Sequence, residues 1–186
     1  EEQNEEPKIK SAFPTAEEMA NILATDACIQ FMCGAMPIEP GFQAGFDDYE
    51  VKGFEQGAVY MPMIGSIPFV GYVFKLAEGA DVANFIADLE ANCNPRWNIC
   101  VTAEQTVCGA YGNYVFFLMC PENLETEGGD EGETDVEVIF PTVEEGTLGD
   151  RLWNSFLSYI EVNPEAPAAE AAFMVTMDES VAVLGL

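Results

Sequence analysis

The middle of the chain contains two pairs of short apolar runs, and each pair is separated by turn residues. The four runs cover residues 57–61, 67–76, 106–110 and 114–120. The first pair flanks a turn at 63–66, and the second flanks Tyr111-Gly112-Asn113, whose Gly and Asn tolerate positive φ. This pattern predicts two β-hairpins. Residues 67–76 are apolar on both faces, so this strand should be central in its sheet and covered above and below.

Three other segments repeat apolar residues with the helical period. They cover residues 14–25, 80–91 and 148–160. Pro14 suits a helix start, and Thr147 with Asp150 forms a pair resembling a capping box. The first helix is expected to break at Thr25-Asp26 and to continue as residues 27–33. Residues 167–186 fit either a further helix or a hairpin.

The order of these elements predicts an α+β fold. We expect a mainly antiparallel sheet of about four to five strands with helices packed on it, in the order α-β-β-α-β-β followed by C-terminal helices. The domain boundaries follow from composition: 1–12 is a flexible lead-in, 13–121 the α+β core, 122–135 an acidic, Gly-rich linker or loop, and 136–186 a C-terminal strand and helical segment packing on the core.

The charge of the chain excludes several classes of function. It has 33 acidic residues, 6 basic residues and no histidine, which gives a net charge of -27. Such a surface repels phosphate backbones and anionic lipids, so we expect no nucleic-acid partner and instead an unknown protein or a neutral or basic ligand. The uncharged run 56–74 is interrupted by Pro62 and Pro68, which argues against a membrane-spanning segment.

Metal sites and cofactors are not expected. The acidic stretch offers alternating oxygen ligands but lacks the spacing of a calcium loop; the residues concerned are Asp130, Glu131, Glu133 and Asp135. Zinc would need four thiolates because histidine is absent. The six cysteines contain no C-x-x-C, and the nearest pairs are Cys28 with Cys33 and Cys93 with Cys100. We interpret them as buried, inert thiols.

No catalytic residue and no ligand-binding residue can be assigned from the sequence. Asp47-Asp48 is the most conspicuous carboxylate pair, and a solvated turn explains it better than catalysis does. Arg96-Trp97 could anchor an anionic ligand beside an aromatic wall. An Arg96 side chain packed on its neighbours and paired with a carboxylate is the simpler interpretation.

Residues 14–121 resemble a family of small bacterial domains that are exported or lipid-anchored. The resemblance lies in GAVYMPMIGSIPFVGYVFKL, GADVANF, NPRWNIC and YGNYVFFLMCP. It implies an extracytoplasmic α+β module with no assigned activity and no known catalytic residues. The polar segment 1–10 fits the spacer that follows a lipid-modified cysteine, so a lipid anchor upstream of residue 1 is one expectation and a frayed N-terminus is the other.

The sequence therefore favours a non-enzymatic, extracytoplasmic domain, secreted or lipid-anchored, that binds through an apolar groove or sheet face inside an acidic rim. Two alternatives stay open. A carboxylate-dependent glycan hydrolase needs no histidine and would require two carboxylates about 5 to 10 Å apart in an aromatic-lined cleft. A cytoplasmic acidic decoy would occupy basic proteins by mimicking nucleic acid.

Overall fold

The computed structural model describes residues 14–64, 67–98, 100–124, 146–161 and 173–176. Three helices and eight strands are present there. In chain order they are α1 (Ala16–Ala24), β1 (Cys33–Ile38), β2 (Gly41–Phe42), β3 (Glu50–Val51), β4 (Gln56–Pro62), β5 (Val70–Lys75), α2 (Val82–Asn92), β6 (Gln105–Tyr111), β7 (Tyr114–Cys120), α3 (Leu148–Glu161) and β8 (Phe173–Thr176).

Six of the strands form one antiparallel sheet, in the order β1-β4-β5-β7-β6-β8, while β2 and β3 pair separately. The predicted α+β class is confirmed. Both predicted hairpin strand pairs occur, β4 with β5 and β6 with β7. Strand β5 lies between β4 and β7 in the interior of the sheet, as its two apolar faces predict.

The segment after α1 differs from the sequence prediction. The helix ends at Ala24 with Thr25 as its C-cap, and residues 27–33 are not helical. Instead, β1 begins at Cys33 and pairs with β4 along six residues. The predicted order therefore omitted an edge strand and the short β2–β3 pair. Within residues 167–186, the described part is strand β8, which pairs with β6. The rest of this segment lies outside the described residues.

The sheet separates two apolar clusters. One face carries Ala58, Tyr60, Val73 and Phe116 and is covered by α1 and α3. The other face is covered by α2 and the segment containing β2 and β3; its strand residues include Val59, Tyr72, Phe74, Val115 and Phe117. Alternate residues of β5 and β7 therefore point into different clusters, which is the period-2 geometry of a strand covered on both faces.

Helix α3 begins with the predicted capping pair. Thr147 Oγ1 accepts a hydrogen bond from the Asp150 N–H (3.2 Å), and Asp150 Oδ2 accepts one from the Thr147 N–H (3.0 Å). The apolar side of α3 packs on the sheet. There, Trp153 and Phe156 contact Phe116 at ring-centroid distances of 5.6 and 5.3 Å. The C-terminal helix thus belongs to the same core as the sheet.

A hydrogen bond from α3 reaches the end of α1. Ser155 Oγ donates to Asp26 Oδ2 (2.6 Å), and the Cys28 N–H donates to Asp26 Oδ1 (2.9 Å). Burial alone would raise the pKa of Asp26, but these bonds and the charge of Arg151 outweigh burial and lower it.

Replacing Ser155 with alanine should lower the free energy of unfolding by about 1.5 kcal/mol at pH 7, because the bond involves a charged carboxylate. A lowered pKa contributes stability that is present above the ordinary pKa of an aspartate and is lost as the pH falls through the lowered value. Urea titration at pH 7 and in successive steps below pH 3.8 measures this. An effect of the substitution that stays the same at every pH would contradict the assigned role of Asp26, and Ser158→Ala on the exposed side of α3 is the control.

Among the residues that the structure describes, no helix is both long enough and apolar enough to cross a membrane.

Candidate functional site

A groove of about 660 Å³ is present at one end of the sheet. It lies between the end of β5, the turn that joins β6 to β7, and the start of α2. The lining residues are Glu55, Lys75, Ala77, Glu78, Gly79, Ala80, Val82, Gly112, Asn113 and Tyr114. Its volume falls within the range of about 300 to 1,000 Å³ that small-ligand sites occupy.

Three hydrogen bonds hold the walls of this groove together. The Leu76 N–H donates to the Asn113 carbonyl (2.8 Å), and Asn113 Nδ2 donates to the Leu76 carbonyl (2.7 Å). The Glu55 N–H donates to the Lys75 carbonyl (2.8 Å). Gly112 has a φ of 60°, which the tight turn requires. These bonds hold the backbone segments that form the groove in fixed positions.

A smaller groove of about 270 Å³ adjoins the first, and Glu55 belongs to both. It lies between the start of α1, the end of β1 and the start of β4. Its other lining residues are Thr15, Glu17, Pro37, Ile38, Glu39, Pro40, Phe54, Gln56 and Gly57. Register places both grooves at the same end of the sheet, since Ile38 lies opposite Gly57, and Lys75 lies opposite both Gln56 and Tyr114.

The charge of this double groove is mainly negative. Its four carboxylates are those of Glu17, Glu39, Glu55 and Glu78, and all four residues are exposed. Lys75 is the one basic residue that lines it, and its Nζ lies 5.4 Å from the centre of the Tyr114 ring, a cation–π distance. Between the carboxylates lie apolar surfaces contributed by Pro37, Phe54 and Val82. We call the two grooves together the acid-rimmed groove.

Local sequence patterns do not mark any of these residues as part of a site. Glu55 follows a loop, Glu78 follows a strand and Gly112 lies in a hairpin turn, so only the pairing of β4, β5 and β7 brings them together. The available signal was the acidic residue next to a glycine at a strand end, as in Glu78-Gly79, and that signal is common in ordinary turns.

Asp47-Asp48 lies away from the groove. Both residues are exposed in a turn, and Asp47 has a φ of 43°. Asp47 Oδ2 accepts a hydrogen bond from Asn94 Nδ2 (2.6 Å). This contact ties the turn to the segment after α2 and gives the pair a structural explanation.

The described residues give no support for an anion site at Arg96-Trp97. Arg96 is exposed, and its backbone N–H donates to Asn94 Oδ1 (2.9 Å). Its expected pairing with a carboxylate is absent from the described part of the chain, where the one recorded ion pair joins Lys52 to Glu50 (3.8 Å). Trp97 packs against the cluster beneath α2.

All six cysteines lie within the described residues, and each is a free thiol. In the β6–β7 hairpin, Cys108 lies opposite Phe117 and Cys120 lies opposite Gln105, so these two thiols do not face each other. Burial raises the pKa of Cys28 to about 12 and that of Cys33 to about 11, and it also raises those of Cys93, Cys108 and Cys120. Cys100 is the exposed one. A raised pKa keeps a thiol protonated and slow to react.

No group of three or more cysteine, aspartate or glutamate side chains in the described ranges has the geometry to hold a metal ion. The acidic stretch after Leu124, including the four oxygen ligands that were weighed for calcium, lies outside those ranges.

Comparisons of the chain with protein-family models, with curated proteins and with solved structures give no significant match in any of the three.

Proposed function

We propose that this protein is a non-enzymatic binding domain that recognises a cationic or neutral ligand in the acid-rimmed groove. The observation that carries the proposal is the joining of two concave surfaces through Glu55, with carboxylates along the rim and apolar side chains between them. Such a rim attracts positive groups and repels anionic ones. A net charge of -27 extends this attraction over the whole molecule.

A short peptide rich in lysine or arginine has the chemistry that this groove fits. Lysine and arginine side chains combine an apolar stem with a cationic head. The stems can lie on Pro37, Phe54 and Val82, while the heads reach the glutamates. A ligand that bridges both parts must pass Glu55, so this residue should contribute most to binding.

The domain is proposed to act outside the cytoplasm, either secreted or lipid-anchored. This location is the expectation that follows from the sequence resemblance of residues 14–121, and it stays a prediction. Free thiols are less common in oxidising compartments than in the cytosol. Here five of the six are partly or fully buried and have raised pKa values, which protects them from oxidation without requiring a disulfide.

Calorimetric titration with trilysine tests the proposal. The double variant Glu55→Gln/Glu78→Gln should weaken binding about 5-fold or more at low ionic strength, because two carboxylates that line the groove are neutralised. The matched control is Asp48→Asn/Glu122→Gln, which removes the same total charge from exposed sites outside the groove. This control should change the affinity less than 2-fold. Equal weakening in both variants would contradict a local site and favour the acidic-decoy alternative, which depends on total charge.

The glycan hydrolase is the second candidate, because the larger groove holds two carboxylates, Glu55 and Glu78, beside the Tyr114 ring. A retaining or inverting enzyme would use one of them as the acid and the other as nucleophile or base. Both are exposed, whereas an acid catalyst commonly depends on burial to raise its pKa. Release of reducing sugar from a panel of glycans, lost in both Glu55→Gln and Glu78→Gln, would replace the binding proposal with this one.

A further inference from the structure

Four of the eight methionines lie in β1 and β4 or immediately beside them, at one edge of the sheet. Met36 lies in β1 and Met61 in β4. Met32 immediately precedes β1, and Met63 immediately follows β4. A hydrogen bond from the Met63 N–H to the Met32 carbonyl (2.8 Å) continues the pairing of the two strands by one step.

The register places these four side chains on one face. Gly34 lies opposite Met61, and Met36 lies opposite Val59. Directly opposed residues of an antiparallel pair share a face, as do residues two apart along a strand. Met32, Met36, Met61 and Met63 therefore share the face that carries Gly34. We call them the methionine cluster.

Gly34 has no side chain, which leaves room for a methionine side chain at the centre of this cluster. The Met63 sulfur lies over Gly34, in the space that a β-carbon there would occupy. The flexible methionine chains can therefore approach one another across a residue that has no side chain. Met32, Met36 and Met63 are 68%, 51% and 60% exposed, so an ion in solvent can reach their sulfurs.

Thioether sulfur is a soft, neutral ligand that binds Cu(I) and does not bind hard cations such as calcium or magnesium. We propose that the methionine cluster is a binding site for a monovalent soft metal ion, Cu(I) or its analogue Ag(I). The inference is independent of the acid-rimmed groove and of the ligand proposed for it.

The surrounding charge favours a cation. The chain has no lysine or arginine in residues 11–51 or 53–74, which include β1, β4 and the whole cluster. Lys52, between these two ranges, is paired with Glu50. The net charge of -27 raises the local concentration of cations at every exposed surface. The thioether ligands are neutral, so the positive charge of the bound ion is balanced by the acidic surface around the site.

The nearest thiol in sequence belongs to the opposite face. Cys33 alternates with Gly34 and packs against the cluster beneath α1 and α3. The ligand set is therefore thioether alone, and its affinity should be independent of pH because no proton has to be released.

Methyl NMR with ¹³Cε-labelled methionine tests the site, using folded protein whose reactive thiols are first blocked with iodoacetamide. On titration with Ag(I), the methyl signals of Met32, Met36, Met61 and Met63 should shift together and saturate at one ion per chain. Met19 and Met119 are 1% and 0% exposed and should not shift. The midpoint should be the same at about pH 5.5 and pH 7.5, whereas coordination by thiolates would weaken at the lower pH.

Met63→Leu keeps the volume and apolar character of the side chain but removes the sulfur. It should weaken Ag(I) binding at least about tenfold, since even losing a residue that only supports a metal ligand commonly costs that much. Met19→Leu is the matched control and should leave the affinity unchanged. Separate midpoints for the four methyl signals, absence of shifts, or an unchanged affinity in Met63→Leu would each overturn the proposal.

Discussion

Replacing Phe156 with alanine should lower the free energy of unfolding by about 3 to 5 kcal/mol. Phe156 is fully buried, and its ring contacts Phe116 of β7 at 5.3 Å and Trp153 of α3 at 5.4 Å. Truncation removes these contacts and leaves a cavity between α3 and the sheet, because fixed strands cannot collapse into it. Chemical denaturation followed by tryptophan fluorescence measures the loss.

Phe42→Ala is the matched control for this prediction. The residue is also a phenylalanine, but it is 66% exposed in the short strand β2. Its replacement should change the free energy of unfolding by less than about 1 kcal/mol, since little buried area is lost. A similarly small effect of Phe156→Ala would mean that α3 contributes little to the stability of the core.

The second large effect is expected at Gly71, in the interior strand β5. A β-carbon there would overlap the ring of Tyr60, which lies opposite Gly71 on β4 and is fully buried. Buried in this way, the ring has no free space to move into, so Gly71→Ala should destabilise the protein by about 3 kcal/mol. A lowered melting temperature in calorimetry would measure this.

A smaller residue at position 60 should relieve the overlap. Tyr60→Leu alone leaves a gap over Gly71, and Gly71→Ala alone creates a clash. The double variant should therefore be more stable than the sum of the two single effects predicts, by at least about 1 kcal/mol. Strictly additive effects would show that the alanine is accommodated elsewhere and that the ring is not the obstacle.

Local sequence patterns were sufficient to predict the elements whose own residues favour the conformation that they adopt in the fold. Gly112-Asn113 fixed the register of the β6–β7 hairpin to the residue, because a two-residue turn leaves only one pairing. The spacing of Phe85, Ile86 and Leu89 located α2, and these three residues are the buried side of that helix.

Strand β1 could not be predicted in the same way. Its sequence, Cys33 to Ile38, includes a glycine, an alanine and a proline, all of which are depleted in strands. It is extended because β4 pairs with it, and Pro37 is tolerated because β1 is an edge strand. Tertiary pairing therefore determines its conformation. The predicted continuation of the first helix over residues 27–33, just before this strand, was wrong.

The acid-rimmed groove was beyond prediction for a related reason. Glu55, Glu78 and Gly112 are far apart in sequence, and each is ordinary in its own turn. They form a site only when the sheet aligns the ends of β4, β5 and β7. The sequence supplied the sign of the charge, from which an acidic rim was expected, but not its position.

The most direct test of the binding proposal is a map of trilysine binding by amide NMR at low ionic strength. The account predicts that the largest chemical-shift changes occur along the acid-rimmed groove, at Glu55, Lys75, Gly79 and Asn113, and that they saturate together. Changes spread over the whole acidic surface, or confined to residues outside the groove, would contradict it.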